Sequence, residues 1–281
     1  MEWTRCHLGE QEEEEASREN SSSDDTNTVP IGQVRVVQAD FSIDGDDVGP
    51  YPTDSLYAKE LGGGVSWCVL PYIVAASMLP FDSKYPDKIA ANGIVPTKEE
   101  EIGDLAMGMT LTFNNNNAKN EVTTSSPPGN KSIASGVCSY LAESCEITMY
   151  AAKRGRIIVE SPAHCPTSAS IVRKFAGKRG NGSTSDPSDD DDNVDNNNGK
   201  LSNYTVTFPL PPTTPEIESS GGIKLPNSMG LIYEAEAVRR LIDAGELTFP
   251  QWTPEESVGC IRIIEEMLRQ VKCDDAAVCD D

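Results

Sequence analysis

The 281-residue sequence has no G-x-G-x-x-G between a strand-like and a helix-like stretch, so it lacks the turn that cradles a dinucleotide pyrophosphate. It also has no C-x-x-C or H-x-x-x-H pair, which leaves no spacing suited to zinc. Asp189–Asp192 lacks the glycine and the spaced ligands of a calcium loop. The longest apolar run, Val65–Leu79, is too short to cross a bilayer and contains Pro71. The opening "MEWTRCHLGEQEEEE" has no apolar segment of the secretory kind. With no leader in sight, the eight cysteines read as reduced thiols of a soluble cytoplasmic protein rather than as a disulfide framework. Lysine and arginine number 23 against 45 aspartates and glutamates, with no basic stripe to follow a phosphate backbone. Nucleic acid and membrane are therefore excluded as expected partners.

The net charge of -22 is unevenly placed. Gly9–Thr28, Ser185–Asp195 and Asp274–Asp281 carry -7, -6 and -4, which is 17 of the 22 negative charges. Like-charge runs without apolar periodicity are solvated and cannot pack, so the folding part of the chain is only mildly acidic. The organisation expected is an acidic linker over 1–31, one domain over 32–272 and an acidic tail over 273–281. Two polar, low-complexity insertions interrupt the domain at about 114–132 and 176–200. They suit hairpin tips, where added length costs little closure entropy.

Within the domain, "GQVRVVQADFSI" (Gly32 to Ile43) is rich in β-branched residues and reads as a strand. The run Val65–Leu79 reads as a buried helix that Pro71 kinks or breaks. Gly62, Gly63 and Gly64 before it permit close backbone approach, for packing or for a ligand. Short strands follow: "KIAANGIV", "LAMGMTLTF", "GVCSYLAES", the hairpin "EITMYAAKRGRIIVES", "ASIVRKF" and "YTVTFPLPP". Two helices close the chain. The first places Leu231, Ala235, Val238 and Ile242 on one face and stops at Gly245. The second begins with a capping box at Thr253 and Glu256 and stripes Ile261, Ile264, Leu268 and Val271. Both faces call for a sheet to cover. Serial strands with terminal helices predict an α+β fold: an open, largely antiparallel sheet with helices on one face.

The pieces "VRVVQADF", "ELGGG" followed by Tyr72, "GRIIVESPAHCPT", "FPLPP" and "NSMGLIYEAEAVRRLIDAG" occur in an order that resembles the C-terminal domain of the glucose-fructose oxidoreductase, inositol dehydrogenase and MocA-like dehydrogenases. The resemblance runs from about Gly32 to Lys272 and is closest to the dihydrodiol and D-xylose dehydrogenase branch. It implies a substrate and dimerisation domain whose sheet face pairs with a second subunit. It also implies that the family's N-terminal Rossmann domain, with its Gly-rich turn and Glu-Lys-Pro motif, is absent here, so that "MEWTRC" sits where that domain ends. The implied chemistry is NADP-dependent hydride transfer from a small sugar or diol, with no cofactor-binding residue and no metal in this chain.

By the same resemblance Tyr72 holds the position of the catalytic tyrosine, while the family's aspartate four residues earlier is Cys68. A phenol of pKa near 10 is a poor base at neutral pH and needs help to exchange its proton. Trp3, Arg35 and Phe41 match substrate-side positions, and a further pocket arginine is Ile94 here. Read by itself, a tyrosine in an apolar helix is a core residue with a tied hydroxyl. His164 and Cys165 read as a loop histidine and a buried thiol, and Cys138 and Cys145 likewise as buried thiols. Two further function classes stay open: a non-catalytic interaction module and a metabolite-binding domain without chemistry.

Overall fold

A computed structural model describes residues 31–47, 49–51, 54–96, 101–114, 130–174, 201–222 and 226–278. Trp3, the acidic linker, the acidic tail beyond 278 and most of both low-complexity insertions lie outside the described residues.

Eight strands form one sheet: β1 (Val34–Ser42), β2 (Lys88–Ile94), β3 (Ala106–Asn114), β4 (Lys131–Ser139), β5 (Thr148–Ala152), β6 (Gly155–Val159), β7 (Ser168–Lys174) and β8 (Leu201–Thr207). Their spatial order is β2-β3-β4-β1-β5-β6-β7-β8. Every neighbouring pair is antiparallel except β1 with β4, which run parallel. Asn114 pairs with Lys131 and Lys174 with Leu201, so each low-complexity segment connects the two arms of an antiparallel hairpin. β4 begins earlier than "GVCSYLAES" indicates, because Ser132 and Ala134 are buried and alternate with exposed Lys131 and Ile133. Their small size hides the alternation from a hydrophobicity reading.

The helices are α1 (Val65–Cys68), α2 (Leu70–Met78), α3 (Pro215–Ser219), α4 (Leu231–Ala244) and α5 (Pro254–Val278). α1 and α2 are the two halves of the apolar run, bent by 41° at Val69. The physical cause is Pro71, which has no N–H to continue the ladder and stands in the first turn of α2, where none is needed. No single described helix is long and apolar enough to cross a membrane.

α2 lies across β1 and β4, and α5 packs on α2 and on β2. The core between them joins Val37, Met107, Leu111 and Ala134 from the sheet with Leu70, Ile73, Val74 and Met78 from α2. Ile263, Ile264 and Met267 of α5 complete it at 0% exposure. Each such side chain contributes roughly 1.5–3 kcal/mol on burial. Gly136 of β4 sets how close α2 comes: a Cβ there would stand 2.4 Å from Ile73 Cγ2 and 3.0 Å from the Ala39 carbonyl oxygen.

Of the three glycines, Gly63 and Gly64 serve packing, while Gly62 has open space around it and turns the chain at φ 78°. Gly64, at φ 116°, adopts a backbone closed to other residues, and a Cβ on it would meet the Asp104 carboxylate at 2.6 Å. Asp104 is buried and accepts from Ser66 N at 3.0 Å and Ser66 Oγ at 2.6 Å, closing the start of α1. Burial nevertheless pushes its carboxyl above the ordinary aspartate range, against the lowering effect of the Ser66 hydrogen bonds.

At the outer edge, Gln270 of α5 accepts from Ala91 N at 3.0 Å and donates to Ile89 O at 3.1 Å, covering the unpaired side of β2. The capping box at Thr253 and Glu256 is present, with Glu256 N donating to Thr253 Oγ1 at 3.2 Å. Two sequence expectations for the closing helices are corrected. Ile261 is 40% exposed, and the buried stripe of α5 runs through Cys260, Ile264, Leu268 and Val271 with Ile263 and Met267. α4 ends at Gly245 in the left-handed conformation as its sequence indicates, but no described sheet covers it: Leu231 is 64%, Val238 43% and Ile242 69% exposed. Local signals make that helix, including Arg239 paired with Glu236 and Asp243, and packing does not.

Gly136→Ala is expected to lower stability by about 1–3 kcal/mol, measured by denaturant unfolding, because Ile73 and the β1 backbone have to yield. For Asp104 the sign follows from its raised folded-state pKa: its contribution is present in full below the unfolded value and is lost as pH rises through the folded one. The melting temperature of the wild type minus that of Asp104→Asn should therefore increase as pH is lowered from 7 toward 4.

Candidate functional site

Tyr72 stands in the first turn of α2, one residue beyond the proline that breaks the helix. The break turns this turn outward, so Tyr72 is 51% exposed while Leu70, Ile73 and Val74 on either side are buried. Its hydroxyl makes no hydrogen bond to a described residue, unlike Tyr150, which donates to Ala76 O at 3.2 Å, and Tyr140, which donates to Gly64 O at 3.3 Å. Burial holds those two phenols above their usual pKa and removes them from chemistry at neutral pH.

Phe41, near the end of β1, meets the Tyr72 ring edge-on with centroids 5.3 Å apart. The same Phe41 ring stacks on the His164 imidazole at 5.1 Å and 6°. His164 in turn is 6.2 Å from Tyr72, edge to face at 76°. Two of the expected site residues, Tyr72 and Phe41, are thus brought together. Arg35 is not: it lies six positions before Phe41 along β1, about 20 Å at the rise of an extended strand. It occupies the irregular step between Val34 and Val36, where its Nη1 is buried without a hydrogen bond. Ile94 lies in β2 on the uncovered face at 51% exposure.

His164 was not among the expected site residues. It lies in the loop between β6 and β7, where its Nδ1 pairs with the carboxylate of Glu146. Glu146, in the β4–β5 connection, is one of four non-glycine residues with positive φ among the described residues, at 52°. Its backbone is held on both sides: Glu146 N and Ile147 N donate to Asp40 at 2.7 and 3.3 Å, and its carbonyl accepts from Ala163 N at 2.9 Å. The β6–β7 loop is anchored further by Asn227, whose Nδ2 donates to Cys165 O at 3.0 Å. The sequence signal was the placement of His164 just after a hairpin strand, inside one of the stretches that carried the resemblance.

Among the thiols, Cys138 lies in the core with its pKa raised by burial, and Cys260 is pushed up to about 11 for the same reason. Cys145 is exposed and Cys165 only partly buried, which corrects their reading as buried thiols. Among the described residues no group of three or more His, Cys, Asp or Glu is placed to hold a metal ion.

The glycine run does not fit a dinucleotide. Gly62, Gly63 and Gly64 donate their amides to Lys59, Ala58 and Leu56, and Val65 and Ser66 donate to Asp104. The donors are used, and the carboxylate at this helix start would repel a phosphate. On the opposite, uncovered face of the sheet, a shallow groove of about 640 Å³ runs over Gln38, Ala90, Gly108, Ser135, Val137 and Met149. Tyr72 does not line it.

No protein-family model matches the sequence. Over 242 residues the chain is 25% identical to a trans-1,2-dihydrobenzene-1,2-diol dehydrogenase of Danio rerio, a match that covers 86% of this chain and 54% of the relative. The chain thus spans about half the length of the curated relative it matches. Among solved structures, an aldose-aldose oxidoreductase from Caulobacter crescentus complexed with glycerol aligns with a TM-score of 0.52 at 14% identity, over 85% of this chain and 54% of that one. A levoglucosan dehydrogenase in complex with NADH and levoglucosan aligns with a TM-score of 0.53 at 11% identity, over 86% and 58%. The open, mostly antiparallel sheet and the half-length coverage agree with the order of motifs in the sequence. In its fold, this chain is similar to a part of these two oxidoreductases, a little over half the length of each.

Proposed function

We propose that this chain is the substrate domain of an NADP-dependent oxidoreductase that oxidises a small sugar such as D-xylose, or a trans-dihydrodiol, with Tyr72 handling the hydroxyl proton. The observation that carries the reading is the Tyr72 hydroxyl, on an exposed residue of a mostly buried apolar helix, without a hydrogen bond to any described residue and backed by the Phe41 ring. An aromatic floor beside a free hydroxyl suits a polyol, which stacks its C–H face and exchanges hydrogen bonds at its rim. The described residues supply no dinucleotide cradle, so the chain's part is to bind the hydroxylated substrate and hold its proton at Tyr72 Oη. Trp3 belongs to the proposed substrate side, and Arg35 does not, since β1 carries it away from Tyr72.

The same reading makes the protein a homodimer through the uncovered sheet face. Val137 and Ile133 stand 53% and 42% exposed there beside the small residues Ala90, Gly108 and Ser135. A second reading, a non-catalytic interaction or metabolite-binding module, draws support from the exposed apolar side of α4.

Ligand-observed NMR on the purified chain with D-xylose and trans-1,2-cyclohexanediol is the test. Saturable binding is expected, weakened roughly tenfold (about 1.4 kcal/mol) by Phe41→Ala or Tyr72→Ala, with no change in NADPH fluorescence. Absence of saturable binding by the folded chain would remove the substrate reading. Sedimentation should give a dimer that Val137→Arg dissociates, and a concentration-independent monomer would remove the sheet-face pairing.

A further inference from the structure

A histidine ring that merely plugged a gap beside Phe41 and Tyr72 would need shape alone, yet His164 is fixed by a carboxylate. Its Nδ1 is committed to Glu146, and the two side chains are only 21% and 15% exposed. Its ring is held flat against Phe41 and edge-on to Tyr72. Its other nitrogen, Nε2, makes no hydrogen bond to a described residue. With Nδ1–H donating to the carboxylate, Nε2 is left as an acceptor.

The partner carboxylate is placed at a cost. Glu146 sits at φ 52°, a conformation that disfavours a side-chain-bearing residue by about 1–2 kcal/mol. The surrounding structure over-determines it: Asp40 accepts from the Glu146 and Ile147 amides, and Ala163 N, next to His164, donates to the Glu146 carbonyl. A non-glycine outlier locked in this way, with its side chain on an imidazole, points to a positional requirement on that carboxylate.

We propose that His164, oriented by Glu146, is the proton acceptor of the Tyr72 site: it receives at Nε2 the proton of the Tyr72 hydroxyl, or of an alcohol hydrogen-bonded to it. In that step the O–H bond breaks as the Nε2–H bond forms. The electron pair stays on oxygen, and the Nδ1 proton remains in its hydrogen bond to Glu146. Such a dyad gives the phenol a route for its proton. Glu146 is a positioning residue, acting only through the imidazole. The inference rests on Tyr72 as the substrate-proton residue and identifies where that proton goes.

The ionisable groups around His164 are Glu146 from the β4–β5 connection, Asp40 from β1 behind the Glu146 backbone, Tyr72 from α2, and Glu160 and Cys165 from its own loop. Glu160 is turned to Ser170 Oγ at 2.6 Å, and Cys165 Sγ to Asn227 O at 3.3 Å.

The chain has two histidines, so His164 is assigned in NMR spectra by the resonance that His164→Gln removes. Its imidazole is titrated in the wild type, Glu146→Gln, Glu146→Asp and Tyr72→Phe. Glu146→Gln is expected to lower the His164 pKa by roughly one unit, and Glu146→Asp to restore most of it. Tyr72→Phe keeps the ring contact and deletes only the hydroxyl, so a shift of the His164 titration reports coupling of the imidazole to that hydroxyl. Adding trans-1,2-cyclohexanediol should move the His164 resonance saturably in the wild type.

A His164 pKa insensitive to both Glu146→Gln and Tyr72→Phe would overturn the dyad. Diol binding that leaves the His164 resonance unmoved would overturn it too, while the substrate-domain reading stood. The converse, a His164 titration coupled to Tyr72 without binding of diol or sugar, would support the dyad and remove the substrate assignment.

Discussion

The closeness of α2 to the parallel pair β1 and β4 is the contact on which the remaining architecture depends. Ile73 occupies the space that a side chain at position 136 would fill, which draws the helix axis down onto the sheet. At that distance Leu70, Val74 and Met78 reach the sheet core, and α5 can cover α2 and β2 together. The apolar run bends by 41° at Val69, where Pro71 interrupts the helix. Pro71 therefore acts as a structural hinge point, and Tyr72 is turned outward as a result.

The candidate site is assembled at one end of the sheet by two adjacent residues of β1. Successive side chains of a strand point to opposite faces. Asp40 accepts from the backbone of the β4–β5 connection and so holds Glu146, while Phe41 carries the His164 ring and meets Tyr72. One strand end thereby fixes both the carboxylate and the imidazole that it serves. The dinucleotide has no comparable arrangement among the described residues, since every amide of the glycine run already has a partner.

Much of the scaffold was legible in the sequence. Strand-like segments marked six of the eight strands close to their observed limits, while β4 and β8 begin earlier than their segments indicate. The Thr253–Glu256 box and Gly245 marked helix ends because capping is a local interaction. The start of β4 was missed because serine and alanine fill its inward positions. The cover expected for α4 was not found, because an apolar stripe records a need for burial without naming the surface that meets it. Tyr72 and Phe41 were reached through the resemblance. His164 and Glu146 were not, because they are 18 residues apart on separate loops and neither loop has a local signature.

What the sequence by itself determined is what local chemistry decides: the alternation of strands, the caps, the break at Pro71 and the segregation of acidic charge away from the packing segments. Only the tertiary structure decided which strand ends meet, that Gly63 and Gly64 serve packing, that Arg35 and Phe41 of one strand part company, and that His164 stands against Tyr72. These are consequences of strand order and of a Cβ-sized gap at Gly136. Both belong to contacts between residues far apart in the chain, which no local pattern encodes.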